Sequence, residues 1–235
     1  MNKIFTYSLK ELFKVPIAIF FCFVPAIIFL VLMIIFKSKI NNNNADNINL
    51  IIISFEIFYI AALTLNGLSH QHFIKKTSYE LKNIALANIS PLKYIIAMSM
   101  VYYFLFMIMF VIINIIFIIL YNLIFLQILY YLLASVVIFI LLFSITFLIT
   151  SCVKNYKSLT SITFIIFAVV GCIAVVPLLN HNQVFNTVLK TLPLSSTFYF
   201  FKDLLNASFN ILAFVFMIGY LALFFTLSWK YYRWI

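Results

Sequence analysis

Glycine, acidic side chains and cysteine are all scarce in this chain. Of 235 residues three are glycine (Gly67, Gly171 and Gly219), five are acidic and three are cysteine, and charged residues make up 9%. A loop that cradles phosphate needs several glycines at fixed spacing followed by Lys and Ser or Thr, and three isolated glycines exclude one. The cysteines, Cys22, Cys152 and Cys172, lie within or at the ends of apolar segments without metal-ligand spacing. They are expected as small buried hydrophobes, with no disulfide. Hydrolysis inside a membrane needs a cluster of titratable groups, whereas the apolar segments hold one carboxylate, Glu56, and no histidine. The pair His70-x-His72 points about 200° apart on a helix with no third ligand near, so an ordinary interfacial pair is expected and no metal site.

What is present is apolar sequence. Hydrophobic residues make up 66% of the chain, and the mean hydropathy is +1.20. A water-soluble domain of this size has far more polar surface, so the expectation is an all-α integral membrane protein, with one membrane domain spanning 1–235. Six spans are predicted: Val15–Phe36, Leu50–Leu68, Tyr94–Leu120, Ile128–Thr150, about Leu159–Leu178, and Ile211–Trp229. The first has no small-residue cleavage site and is expected to stay as an anchor, with Pro25 kinking its middle.

Eleven of the fifteen basic residues then fall on one side, while Lys37, Lys39, Lys190 and Lys202 fall on the other. This bias puts both termini in the cytosol. The net charge of +10 is spread over short loops and forms no stripe, which argues against nucleic acid. Within residues 1–14, Ile4, Phe5, Leu9, Leu12 and Phe13 share one half of a helix and Lys3, Thr6, Lys10, Glu11 and Lys14 the other, as expected of a helix lying in the interface. Residues 69–93 form the one long polar interruption, read as a cytosolic docking surface. Residues 179–209 alternate apolar and polar side chains, which predicts two short helices, Val184–Leu192 and Ser196–Leu205, parted by Pro193, one of them able to dip into the outer leaflet.

Glu56 is the one ionisable group well inside a span, so it must face a partner helix or an aqueous cavity, or else be protonated. Two readings stay open: a buried acid bonded to a neighbouring helix, or a polar point on a translocation path. Asn114 reads as interhelical glue.

The run Lys75-Lys76…Tyr79-Glu80-Leu81-Lys82-Asn83-Ile84-Ala85-Leu86-Ala87…Ile89-Ser90-Pro91-Leu92-Lys93 resembles the loop after the second span in type-2 ATP-binding-cassette permeases. There an acidic residue opens a short helix, and a small-residue turn with Ser-Pro leads into the third span. Family members generally follow the acid and a basic residue with Gly-Thr, a pair that Glu80 here lacks. Leu192-Pro193-Leu194-Ser195-Ser196-Thr197-Phe198-Tyr199-Phe200 is similar to the Pro-containing outer hairpin of the same permeases.

The resemblance implies a coupling helix around Ser78–Ala87, with Tyr79, Glu80, Leu81, Lys82 and Ile84 meeting a separate ATPase subunit, and residues 1–14 as a connecting helix. It also implies two permease chains, identical or different, and ATP and Mg in the partner ATPase with no cofactor in this chain. The second and fifth spans would line the path in a bacterial plasma membrane. Aromatic-rich spans with almost no internal charge suit an amphipathic or hydrophobic cargo, and export of toxin or antimicrobial peptides is the expectation. The competing readings are a membrane immunity or scaffold protein that binds a peptide without transport, a pump for another hydrophobic solute or lipid, and a proton-coupled carrier leaning on Glu56.

Overall fold

The computed structural model describes residues 2–14, 16–35, 45–78, 80–86, 89–121, 124–179 and 187–231. Its regular elements are all helical: α1 (Asn2–Lys14), α2 (Pro16–Ile35), α3 (Ala45–Ala61), a π segment (Ala62–Leu68), α4 (Ser69–Thr77), α5 (Glu80–Leu86), α6 (Pro91–Tyr121), α7 (Phe125–Cys152), α8 (Tyr156–Leu179), α9 (Ser195–Leu205) and α10 (Ile211–Tyr231). Among the described residues no strand occurs. Five helices are long and apolar enough to cross a membrane: Ile48–Thr77, Lys93–Tyr121, Phe125–Cys152, Tyr156–Ala174 and Ile211–Tyr231. Outward faces such as Phe164 and Ile165 on α8 and Ile211 and Val215 on α10 are apolar and exposed, as a lipid-facing surface requires. This is an all-α, multi-pass membrane protein. Between Val15 and Phe36, which lie outside the described residues, α2 supplies twenty apolar residues, and Pro25 stands inside it without ending it.

The expected second span is longer than its hydropathy suggests. Its helix runs from Ala45 through the π segment and α4 to Thr77 without a break, so the first nine residues of the polar interruption extend a span instead of opening a loop. The reason is tertiary. Gln71 and His72 are buried, and each meets a tyrosine of α6: the Tyr102 hydroxyl donates to Gln71 Oε1 at 2.9 Å, and His72 Nδ1 lies 3.4 Å from the Tyr94 hydroxyl. A polar group given a partner costs little to bury, and local hydropathy cannot see a partner 22 or 31 residues away.

This long helix is the centre of the molecule. The π segment touches α2, α6, α7 and α8, and α3 packs against α7 and α8. Two hydroxyls turn back on the helix, Thr64 inside the segment onto the Ile60 carbonyl at 2.8 Å and Ser69 just after it onto the Leu65 carbonyl. Such insertions accompany a widened turn. Gly67 lets the Tyr102 ring close on it, since a Cβ there would stand 3.0 Å from Tyr102 Cε1.

Helix α1 lies on α6 and α2. Leu12 is buried with Phe5 and Leu9 packed inward, and Lys10 is exposed, as the amphipathic pattern predicted. Ser8 is buried as well, and the side chains of Ile4 and Phe13 lie outside the described residues. The expectation of buried cysteines fails for two of the three: Cys152 and Cys172 are exposed free thiols. Both occupy outward faces, which apolar sequence alone cannot tell from inward ones when a helix is apolar all round. The Cys22 side chain lies outside the described residues.

Candidate functional site

Two regions carry the polar side chains that a membrane protein has to justify. The first is the end where α1, α4, α5 and the α7–α8 turn meet; its lysines include Lys75, Lys76, Lys82, Lys93, Lys154 and Lys157. Lys75 is buried with its Nζ 5.5 Å from the centre of the Tyr7 ring, which ties α4 to α1. Lys76 reaches over the end of α7 and donates to three carbonyls, Thr150 at 3.0 Å, Ser151 at 3.2 Å and Val153 at 3.3 Å. An ammonium has three protons to give, and the last carbonyls of a helix are its negative pole. His70 and Phe73 pack against Tyr156 at the start of α8. His70 and His72 thus face different helices, and among the described residues no group of three metal-ligating side chains occurs.

This clamp gives a direct prediction. Lys76→Met keeps the aliphatic stem and leaves the three carbonyls without their donor, so thermal unfolding of the purified protein in detergent is expected to show a loss of about 2 kcal/mol, with Lys76→Arg retaining most of it. An unchanged unfolding temperature in Lys76→Met would mean that the clamp contributes nothing.

Helix α5 stands where the coupling helix was expected, over Glu80–Leu86. Of the five residues singled out for a partner, Tyr79 lies outside the described residues, and Leu81 is only 1% exposed, held within this chain's own apolar core. Ile84 also packs against that core. Glu80 is half-buried, and Lys82 and Asn83 are exposed. Among the described side chains of α5, the apolar one that faces outward is Leu86, 72% exposed. Sequence reasoning missed it because Leu81, Ile84 and Leu86 are alike by residue type, and only the packing of α5 on α4 separates anchor from knob.

The second region is the interior of the spans away from the basic end. Glu56 is 3% exposed on α3, and among the described residues neither carboxylate oxygen has a hydrogen-bond partner. The phenols of Tyr103 and Tyr131 lie within electrostatic range of it. Tyr131 itself donates to Asn49 Oδ1 at 2.5 Å, joining α7 to α3. Asn114 bonds back to the Phe110 carbonyl of its own helix at 2.9 Å, so the expected bond between helices is replaced by one within α6. Within one copy the second span is enclosed on nearly all sides, exposing Phe58 and Ile74 among its large apolar residues, whereas α8 is largely exposed.

Between α8 and α10 the chain re-enters the molecule. The expected helix Val184–Leu192 lies partly outside the described residues; within them, Thr187–Leu189 form one helical turn and Lys190–Leu194 a set of tight turns leading into α9. The Tyr220 hydroxyl, halfway along α10, donates to the Thr191 carbonyl at 2.8 Å. An apolar groove of about 610 Å³ brings Leu192, Pro193 and Leu194 together with Ile166 and Val169, midway along α8, and with Phe224 of α10. The apex of this hairpin therefore sits at the mid-height of the spans, deeper than an outer-surface loop. No family model, curated protein or solved structure matches the chain.

Proposed function

We propose that this chain is the membrane-spanning subunit of an ATP-driven exporter of the type-2 ATP-binding-cassette permease kind, moving amphipathic or hydrophobic peptides out of a bacterial cell. The observation that carries the reading is the construction of the basic end. A short helix is fixed to its own chain by a buried Leu81 and turns Lys82, Asn83 and Leu86 outward. The same helix follows, after two residues, a rod that runs without interruption through the centre of the bundle. Such a part converts a push from outside into motion of the central helix, which is what a body with no nucleotide-binding loop of its own requires from an engine in trans. ATP and Mg belong to that partner, and the basic end faces the cytosol, where its lysines outnumber those of the opposite side.

In the working assembly two permease chains, identical or different, face one another with the largely exposed fifth span at the path and the second span reaching it where Phe58 is exposed beside Phe167. The cargo class follows from grooves lined by apolar residues, chiefly Phe, Ile, Leu and Val.

The deciding experiment is co-purification with a co-expressed ATPase subunit encoded beside this chain. Leu86→Asp is expected to weaken retention of the ATPase at least about tenfold, as for an exposed apolar anchor at an interface, while the unfolding temperature of the membrane subunit is unchanged. Leu81→Asp, by contrast, loses both, because it buries a charge under α5. Full retention in Leu86→Asp removes the docking role of α5. Failure of any nucleotide-hydrolysing subunit to co-purify with the native chain favours a peptide-binding immunity or scaffold protein.

A further inference from the structure

The apex of the re-entrant hairpin holds polar atoms that nothing among the described residues satisfies. Ser195, Ser196 and Thr197 open α9, each is 0% exposed, and among the described residues none of the three hydroxyls has a hydrogen-bond partner. Three such hydroxyls in succession at the mid-height of a membrane protein are costly, and buried polar atoms without partners call for a ligand or a function. Side chains in the first turn of a helix lean toward its N-terminus, so the hydroxyls are aimed at the end where the dipole of this eleven-residue helix is positive.

The residues immediately before them line the apolar groove of about 610 Å³ between α7, α8 and α10. Leu194 adjoins both, lining the groove and directly preceding Ser195. It is held at φ 65° and ψ −44°, with Ser195 N donating to the Pro193 carbonyl at 2.7 Å, a γ-turn of the rare positive-φ kind. A non-glycine residue in that conformation is strained, and strain of this sort collects at ligand clamps and switch points. Relaxation of the turn would move Leu194, the groove-lining residue that directly precedes the three hydroxyls.

We propose that this apex binds a long-chain carboxylate from the membrane, with its alkyl chain in the groove and its carboxylate on the hydroxyls at the N-terminus of α9. The class follows from complementarity: hydroxyls donate, the helix end favours negative charge, and a carboxylate accepts from several donors at once. Successive positions stand about 100° apart on the helix, so one carboxylate meets two neighbouring hydroxyls at a time, and Ser196, the middle of the three, belongs to either pair. Half-helices whose N-termini meet a carboxylate at the bilayer midplane are an established way of holding an anion in a membrane. The site requires no ATPase, so it stands or falls apart from the exporter reading.

The test is saturable binding of laurate to the purified chain in nanodiscs, with dodecanol as the uncharged chain of the same length. Laurate is expected to bind at least about tenfold more tightly than dodecanol, the margin of one charge-assisted hydrogen bond. The variant Ser195→Ala/Ser196→Ala/Thr197→Val is expected to lose that margin while unfolding at the same or a higher temperature, because it removes unsatisfied polar atoms. Ala168→Trp, at an exposed position lining the groove, blocks the chain of either molecule without touching the hydroxyls. Equal affinity for laurate and dodecanol, laurate affinity unchanged in the two variants, or no saturable laurate binding would each overturn the proposal, the last leaving the hydroxyls to buried water.

Discussion

Gly67→Leu is expected to lower the unfolding free energy by about 4 kcal/mol, combining overpacking of a filled core with loss of a buried hydrogen bond. The position lies in the π segment where the central helix meets α2, α6, α7 and α8, so no free side accepts a new side chain. A Cβ already stands 3.0 Å from Tyr102 Cε1. The Tyr102 ring is fully buried, and its hydroxyl is bound to Gln71, so it cannot swing away without breaking that bond and stranding a buried amide oxygen. Gly67→Ala separates the terms: its gain in helix propensity of about 1 kcal/mol opposes the contact, and the net loss is smaller than for leucine. Shrinking the ring with Tyr102→Leu is expected to recover part of the Gly67→Leu loss, a coupling that a double-mutant cycle in detergent unfolding measures directly. Additive losses in that cycle would show that the glycine and the tyrosine do not share one space.

This crossing shows where sequence reasoning succeeds and where it stops. The apolar runs of the third, fourth, fifth and sixth spans gave helices within a few residues of α6, α7, α8 and α10, because a run of some twenty apolar residues has one outcome in lipid. The amphipathic period of residues 1–14 placed Leu9 and Leu12 inward, and the acid at Glu80 marked the start of α5. What was not legible depends on contacts distant in sequence. Ser69–Thr77 reads as a polar loop until Tyr94 and Tyr102 of the next span supply the partners of His72 and Gln71. Leu81 and Leu86 differ only in which side of α5 meets α4. Cys172 is outward because α8 lies at the edge of the bundle, and no periodicity in an all-apolar helix announces that. The depth of the Pro193 hairpin rests on one hydroxyl of α10, Tyr220, and on the groove it shares with α8.

Glu56 gives the other large effect, of opposite sign. Replacing a buried carboxyl that has no hydrogen-bond partner among the described residues by an apolar side chain of similar length removes a desolvation penalty and creates little void, so Glu56→Leu is expected to stabilise the protein by about 1–3 kcal/mol. Glu56→Gln, which keeps two polar atoms in the same place, is expected to gain less. Thermal unfolding in detergent measures both, and a destabilised Glu56→Leu would reveal that the acid is held by a partner and is structural. The two readings open from sequence then divide on a second measurement, ATP-dependent peptide export by the reconstituted complex. A structural acid leaves export intact in Glu56→Leu. A polar point on the path gives a more stable protein that no longer transports while ATP hydrolysis persists. That second combination is expected, because an acid at the centre of an enclosed helix, with no partner among the described residues, costs stability in every molecule, and function is the remaining reason to keep it.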